Sequence, residues 1–340
     1  MAKHTVCLIP GDGIGPEVTG AATQVIEAAG AEIEWVPLPA GARAVEEHGD
    51  VLPAKTIEAI EHYRLALKGP LTTPIGHGFK SINVQLRKRF DLFAAVRPVR
   101  SLPGVKTRYD DVEIVVIREN TEGLYSGLEH EVVPGVVESL KVTTTKGCER
   151  IAEFAFEYAR DRGRKKVTLF HKANILKLSD GLFMACARRI HEAIAPNVAY
   201  EEMIIDAGCM QLVRDPSRFD VLLLENYNGD VVSDLCAGFV GGLGVTPGAN
   251  IGRDCAIFEA VHGSAPDIAG KGIANPLALI MSAVMMLNHL GERAVAGRIR
   301  SAYDAVLTEG DPAEITGDIG GRAGTQEFVD AVIRRIARGR

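Results

Sequence analysis

Gly11-Asp12-Gly13-Ile14-Gly15-Pro16 follows the apolar run Thr5-Val6-Cys7-Leu8-Ile9 and leads into a stretch, Pro16 to about Ala29, that reads as a helix closed by Gly30. Proline early in a helix and glycine just past its end is the usual asymmetry of helix termini. Ile33-Glu34-Trp35-Val36 then reads as a second strand, with Glu32 and Glu34 beside it. Strand, glycine-rich turn, helix, strand and an acid about 20 residues on together imitate the dinucleotide-binding fingerprint. The imitation breaks at Pro16, where the fingerprint's third glycine should stand. That glycine allows helix and strand to pack closely, and a proline ring cannot do so. An ordinary Rossmann site is therefore not expected, although the alternation of strand and helix is real.

Working outward, short β-branched apolar runs continue to alternate with longer amphipathic stretches, the pattern of βαβ units around a largely parallel sheet. Ile114 to Ile117, Val167 to Phe170 and Val221 to Leu224 are continuous apolar runs, as expected of strands covered on both faces. Each is followed by polar residues, and open α/β sheets bind ligands beyond the carboxyl ends of their strands. Glu149 to Arg160 has helical spacing of Ile151, Phe154, Ala155, Tyr158 and Ala159, a core-packing face. Leu277 to Leu287, interrupted only by Ser282, is far short of the ~20 residues of a membrane span and reads as a buried helix. Between Ser126 and Thr145, Glu131-Val132-Val133 and Val136-Val137 flank Pro134-Gly135, which predicts a hairpin-like arm able to meet a partner chain.

The 340 residues exceed the usual size of one compact core, so two domains or one large α/β unit with an insertion are expected. With 46% hydrophobic and 24% charged residues, the chain has material for a sizeable core. The net charge of −6 gives no overall reason to expect nucleic-acid or anionic-membrane binding, and the basic block from Lys80 to Arg100 needs a local explanation. Met1-Ala2-Lys3-His4 runs straight into a strand without a leader pattern, so a cytoplasmic location is expected. The six cysteines are widely spaced and read as free thiols.

Three constellations carry chemistry. Asp230 and Asp234, four apart, project from one face of a helix and suit a hard cation, and Asp206, after Met203-Ile204-Ile205, is a candidate third oxygen ligand for Mg²⁺ or Mn²⁺. Arg87, Arg97 and Arg118 come from separate segments and suit a substrate with several carboxylates if the fold brings them together. Lys172, in His171-Lys172-Ala173-Asn174, follows a strand and can relay a proton if a cation or guanidinium lowers its pKa. Solvated surface roles remain the alternative for each taken singly.

These segments, with Gly69-Pro70-Leu71-Thr72-Thr73-Pro74, Arg118-Glu119-Asn120-Thr121-Glu122-Gly123, Asn228-Gly229-Asp230 and Val261-His262-Gly263-Ser264-Ala265-Pro266-Asp267, resemble the β-decarboxylating dehydrogenases, which comprise isocitrate, homoisocitrate and isopropylmalate dehydrogenases and their relatives. The resemblance runs from about Val6 to Asp318. It implies an α/β, isopropylmalate dehydrogenase-like two-domain fold with a mixed central sheet, not a Rossmann fold. Residues 1–92 plus 241–340 would form the large domain with the adenosine site, and 93–240 the small domain with the dimer interface, including a clasp-like arm at 123–145.

The same resemblance implies the site. Tyr125 and Lys172 match the acid/base pair; Arg87, Arg97 and Arg118 hold substrate carboxylates; Asn174 supports the substrate and nicotinamide region; Asp206, Asp230 and Asp234 match the metal-binding acids. Ser81 and Asn83, in Gly76-His77-Gly78-Phe79-Lys80-Ser81-Ile82-Asn83, match the residues that recognise isocitrate's extra carboxylate. An apolar surface there would leave that charge without partners. Glu259, His262, Gly263, Ala265, Pro266 and Asn275 would wrap the adenosine of NAD, with Thr73 near the nicotinamide. Asp267-Ile268 stands where NADP-dependent relatives carry a lysine and a tyrosine, which implies NAD. Lys172 and one metal-binding aspartate would come from a neighbouring chain, so a homodimer or higher homo-oligomer is expected. The alternatives are oxidation of homoisocitrate, isopropylmalate or a tartrate-type acid, and a non-catalytic regulatory role within a hetero-oligomer. Glu225, before Asn226-Tyr227, departs from the family's usual uncharged residue and could place charge near the metal or face away.

Overall fold

The computed structural model describes residues 3–72 and 81–339. In chain order the strands are β1 (His4–Ile9), β2 (Ile33–Pro37), β3 (Leu65–Lys68), β4 (Ala94–Arg100), β5 (Glu113–Glu119), β6 (Glu129–Val133), β7 (Val136–Ser139), β8 (Lys166–His171), β9 (Ala199–Ile204), β10 (Val221–Leu224), β11 (Pro247–Ile251) and β12 (Ala256–Ala260). The helices are α1 (Gly15–Ala28), α2 (Ala42–His48), α3 (Ala54–Tyr63), α4 (Ile82–Arg89), α5 (Thr145–Asp161), α6 (Ser179–Ile194), α7 (Ile205–Arg214), α8 (Asn226–Phe239), α9 (Leu277–His289), α10 (Arg293–Glu309) and α11 (Thr325–Arg338).

A ten-stranded sheet runs β2-β1-β3-β12-β11-β4-β5-β10-β8-β9. Its two flanks are parallel, and the pairs β12/β11, β11/β4 and β4/β5 at its centre are antiparallel. The sheet is therefore mixed, as expected, and its centre is where the chain passes from one parallel block to the other. Helices cover both faces, which is why Val115, Val116 and Ile117 of β5 and all four residues of β10 are buried.

The glycine-rich turn has a structural use. Gly11 and Gly13 have φ of 84° and 59°, in the left-handed region that favours glycine. The Asp12 amide donates to the Pro70 carbonyl (2.8 Å) and the Ile14 amide to the Ser264 carbonyl (2.9 Å). The Asp12 carboxylate accepts from the backbone amides of Ala42, Arg43 and Thr72. Amides that would cradle a pyrophosphate in a Rossmann site are here committed to the protein's own carbonyls, so the sequence reading at Pro16 agrees with the geometry.

The apolar run at 277–287 becomes α9, whose Leu277, Leu279, Ile280, Met286 and Leu287 are almost wholly buried. Among the described residues no helix is long and apolar enough to cross a membrane. The helix expected at 149–160 begins earlier, at Thr145, because the Thr144 hydroxyl caps it by accepting from the Gly147 amide (3.0 Å). The arm forms as β6 and β7, a separate two-stranded sheet turning at Gly135 (φ 86°) with all residues of both strands exposed. The six cysteines are free.

A β-carbon added to Gly13 would collide with the Ser264 carbonyl oxygen, whereas one added to Gly20, inside α1, meets nothing within 4 Å. Gly13→Ala is expected to destabilise the chain by about 1–3 kcal/mol and Gly20→Ala to stabilise it by about 0.5–1 kcal/mol, read from urea unfolding midpoints.

Candidate active site

The centre of the sheet and the start of α8 build a polar cleft of 260 Å³. Alternation along β4 sends Ala95 and Arg97 to this cleft. Arg118 sits near the end of the neighbouring β5, and Arg87 in the last turn of α4. All three are nearly buried, at 8% (Arg87), 9% (Arg97) and 0% (Arg118) exposure. Opposite them, one turn apart on α8, stand Asp230 and Asp234. Arg97 donates to Asp234 (2.9 Å) and to Asp230 (3.4 Å), and Arg118 donates to Asp230 and to the Asn226 side-chain oxygen (2.7 and 3.0 Å). The Tyr125 hydroxyl donates to the other oxygen of Asp230. The conditional expectation that the arginines meet is therefore fulfilled, with Arg87 and Arg97 lining the cleft and Arg118 wholly buried against Asp230 and Asn226.

These contacts set the charges. Burial pushes the Asp230 carboxyl up, but Arg118, the hydrogen bond from Tyr125, Arg97 and Arg87 outweigh it and leave it lowered. Asp234 is left raised, because burial and the charge of Asp230 outweigh Arg97. Burial, with the like charges of Arg87 and Arg97, brings Arg118 down to about 10. Burial and the bond to Asp230 raise the Tyr125 phenol.

Of the floor of the cleft, sequence reasoning named only Glu259, as an adenosine contact, and missed Lys68 and Asn250; Glu259 is instead largely buried and committed to those two side chains. Lys68, 2% exposed at the end of β3, pairs with Glu259 at 2.6 Å, and Asn250 donates to the other oxygen of Glu259 (2.6 Å). Arg87 lies 4.0 Å from that second oxygen. Burial pushes Glu259 up, yet Lys68 and Arg87 with the hydrogen bonds hold it down at about 2. A lysine closing the apolar run Leu65-Ala66-Leu67 was the available signal, since a buried lysine requires a partner. Ser81 and Asn83 line the same cleft, Ser81 also capping α4 through Val84 (3.5 Å). The side-chain oxygen of Asn83 and the Nε of Arg87 are buried without a partner among the described residues. An unmet acceptor and an unmet donor on residues that line a cleft suit a polar ligand.

His262 and Gly263 border the cleft where β12 ends. His262 Nδ1 meets the Gly263 carbonyl (2.9 Å), while its Nε2 is buried without a partner among the described residues, and burial lowers its pKa. Beyond, the loop is pinned by Ile14 on Ser264 and turns with Ala265 at φ 39°, and the Ile268 amide returns to the Ala265 carbonyl (3.2 Å). Pro266 and Asp267 are exposed on that turn. Asn275 donates to Asp318 (2.9 Å) and its oxygen caps the start of α9 through Leu277. Thr73 lies outside the described residues.

Lys172 and Asp206 are placed elsewhere. They pair with each other, Lys172 just past β8 and Asp206 in the first turn of α7, where the hydrogen bond from Lys172 lowers the Asp206 carboxyl. Buried Asp180 accepts from the Lys172 amide (2.6 Å) and from Lys141 (2.6 Å), fixing this turn. Asn174 is exposed beside Ile175, Leu176 and Leu178, of which Leu178 is 90% exposed. Among the described residues, no group of three or more acidic, histidine or cysteine side chains is gathered for a metal. Asp230 and Asp234 nevertheless fit a hard divalent ion of the Mg²⁺ kind, which binds through one or two carboxylates and completes its octahedron with water and substrate oxygens.

The family described as isocitrate/isopropylmalate dehydrogenase matches residues 5–332. The chain belongs to this family. It is 50% identical to the alpha subunit of mitochondrial NAD isocitrate dehydrogenase of Homo sapiens, over 98% of this chain and 90% of that protein. It is 51% identical to a regulatory subunit of mitochondrial NAD isocitrate dehydrogenase of Dictyostelium discoideum, over 97% and 91%. The crystal structure of isocitrate dehydrogenase from Methylococcus capsulatus superposes with a TM-score of 0.94 at 50% identity, covering 98% of this chain and 99% of that one. The isopropylmalate dehydrogenase-like architecture is thus borne out. The cytoplasmic expectation is not: the human and Dictyostelium relatives are both named mitochondrial. A targeting segment is an address separable from the fold, so fold-forming residues hold no compartment signal to read.

The start of α8 gives Glu225 its role. Its carboxylate accepts from the Asn228 (2.9 Å) and Tyr227 (3.2 Å) amides, capping α8, with Lys141 4.0 Å away. It orients the helix that carries the aspartates.

Glu259→Gln leaves Lys68 charged and buried, and is expected to cost about 3–5 kcal/mol at pH 7. Because Glu259 is held down at about 2, its contribution is complete above the ordinary 4.5 and is lost as pH falls toward about 2. Urea midpoints of wild type and variant should therefore converge across that acid window.

Proposed function

We propose that the chain catalyses NAD-dependent oxidative decarboxylation of isocitrate to 2-oxoglutarate and CO₂, with Mg²⁺ or Mn²⁺. The observation that carries this is the convergence of Arg87, Arg97 and Arg118 over Asp230 and Asp234, with Ser81 and Asn83 on the same wall. Guanidinium groups pair with carboxylates in two-point contacts, and the serine and asparagine meet a third carboxylate that an apolar wall would reject. The relatives named above, about half identical, are NAD isocitrate dehydrogenase subunits, which supports the choice of substrate and cofactor.

The arginines orient the substrate with its secondary alcohol toward the proton acceptor. Lys172 Nζ, directly or through one water, takes the alcohol proton, and the Tyr125 hydroxyl protonates the carbanion left after CO₂ departs. Asp230 and Asp234, with Asp206, hold the divalent ion, and the loop of His262, Gly263, Ala265, Pro266, Asp267, Ile268 and Asn275 holds the adenosine end of NAD. When bound, these groups supply hydride acceptance and Lewis-acid neutralisation of the enolate charge. Exposed Asp267 accepts a ribose hydroxyl and repels a 2′-phosphate, which favours NAD over NADP.

Two chains share each site in this reading. Lys172 and Asp206, paired away from the arginine cleft, reach the cleft of a second copy, and exposed Ile175, Leu178, Met210 and Val231 supply apolar surface for the contact. The arm at 123–145 extends that interface. Residues 1–92 with 241–340 and residues 93–240 form the two domains: the core cluster from Phe93 to Leu223 falls within the second and that joining Cys7 to Leu92 with Cys255 and Ile257 within the first, while a third, larger core joins residues of both, such as Val116 and Leu222 with Leu67 and Leu279.

Turnover of isocitrate, homoisocitrate, isopropylmalate and tartrate with NAD or NADP, with and without Mn²⁺, is the deciding measurement. Isocitrate with NAD and Mn²⁺ is expected to exceed every other pairing by at least about a hundredfold in kcat/KM. Comparable use of NADP would sink the role of Asp267, and no turnover of any acid would favour the regulatory role named for the Dictyostelium relative. Separately, chains carrying Tyr125→Phe and Lys172→Met should each be nearly inactive, yet regain about a quarter of wild-type activity when unfolded and refolded together, because half of the mixed dimers' sites are then intact. Failure to complement would rule out sharing.

A further inference from the structure

A second cleft, of 520 Å³, lies behind the first. Alternation along β4 sends Arg97 to the arginine cleft and Val96 and Pro98 to the opposite face of the sheet; β11 likewise sends Asn250 forward and Pro247 and Ile251 back. The back cleft therefore has a floor of sheet side chains. Its walls are Phe154 and Tyr158 of α5 on one side and Met281, Val284 and Met285 of α9 on the other.

One end is basic. Arg162 and Arg164 line the back cleft and an adjoining open hollow of 540 Å³ that also holds Lys165, Lys166 and Arg218. Several of these cations are neutralised: Arg164 meets Glu113 and Asp220 (3.0 Å each), and Lys166 and Arg218 share Glu201 (3.0 and 2.8 Å). Arg162 instead stacks on the Tyr158 ring at 4.5 Å, and among the described residues neither it nor Lys165 makes an ion pair. A guanidinium over a ring face still has N–H groups to offer an anion. Glu113, Glu157 and Asp161 also line the back cleft, but Glu113 is held by Arg164, and Glu157 and Asp161 by Arg160, so among the described residues the unpaired charges here are Arg162 and Lys165 against Asp111.

We propose that the back cleft is a second binding site, for a small organic anion whose apolar or aromatic body fills the slot between α5 and α9 and whose charged end rests on Arg162 and Lys165. The volume falls within the ~300–1,000 Å³ typical of small-molecule pockets. None of its lining side chains has a part in the dehydrogenase chemistry, so the site stands or falls apart from that reading.

The probe is 8-anilino-1-naphthalenesulfonate, an aromatic body with one anionic group, titrated into the full chain while its fluorescence is followed. Binding of one dye per chain is expected, retained at saturating isocitrate, Mn²⁺ and NAD. Arg162→Glu with Lys165→Glu should weaken it by at least about tenfold while isocitrate turnover stays within about twofold of wild type. Val284→Trp, which fills the slot, should abolish the enhancement. Displacement of the dye by isocitrate or NAD, or equal affinity in the charge-reversed variant, would overturn the proposal.

Discussion

Everything in the front cleft depends on the burial of three guanidinium groups within reach of one another. Removing Arg87, Arg97 and Arg118 from water is tolerable only with carboxylates alongside, and Asp230, Asp234 and Glu259 provide them. Lys68 adds a fourth cation. Four cations against three carboxylates leave the cleft with an excess of positive charge. That excess, together with the unmet Nε–H donor of Arg87, makes a polyanionic ligand the natural completion of the site.

The scaffold serves this charge cluster. Antiparallel pairing of β11, β4 and β5 at the centre of an otherwise parallel sheet places arginines of two adjacent strands beside each other. Capping of α8 by Glu225 and the Asn226 bond to Arg118 then fix the helix that presents the aspartates. The same β4 alternation that supplies Arg97 in front leaves an apolar floor behind, so one strand serves both clefts.

The glycine-rich turn illustrates how one local pattern supports different uses. In a dinucleotide site its amides face phosphate. Here they face Pro70 and Ser264, so the turn ties β1 to the segment after β3 and to the loop that carries His262 and Asp267. Its glycines are required by close backbone approach, not by a ligand.

Sequence alone determined the strand and helix alternation, the buried helix at 277–287, the exposed arm and the two aspartates on one helical face, because each follows from local periodicity. The family motifs added Ser81, Asn83, Tyr125 and Lys172. Tertiary structure decided the rest. Lys68 and Asn250 are brought to Glu259 by sheet pairing, not sequence spacing, so their meeting was not legible until the strands were ordered. Glu225 could be assigned to a cap only when the start of α8 was fixed. Arg87, Arg97 and Arg118 were three ordinary arginines until β4 paired with β5 and α4 packed beside them. A local pattern records which face a side chain takes; which charges share a cleft depends on long-range pairing.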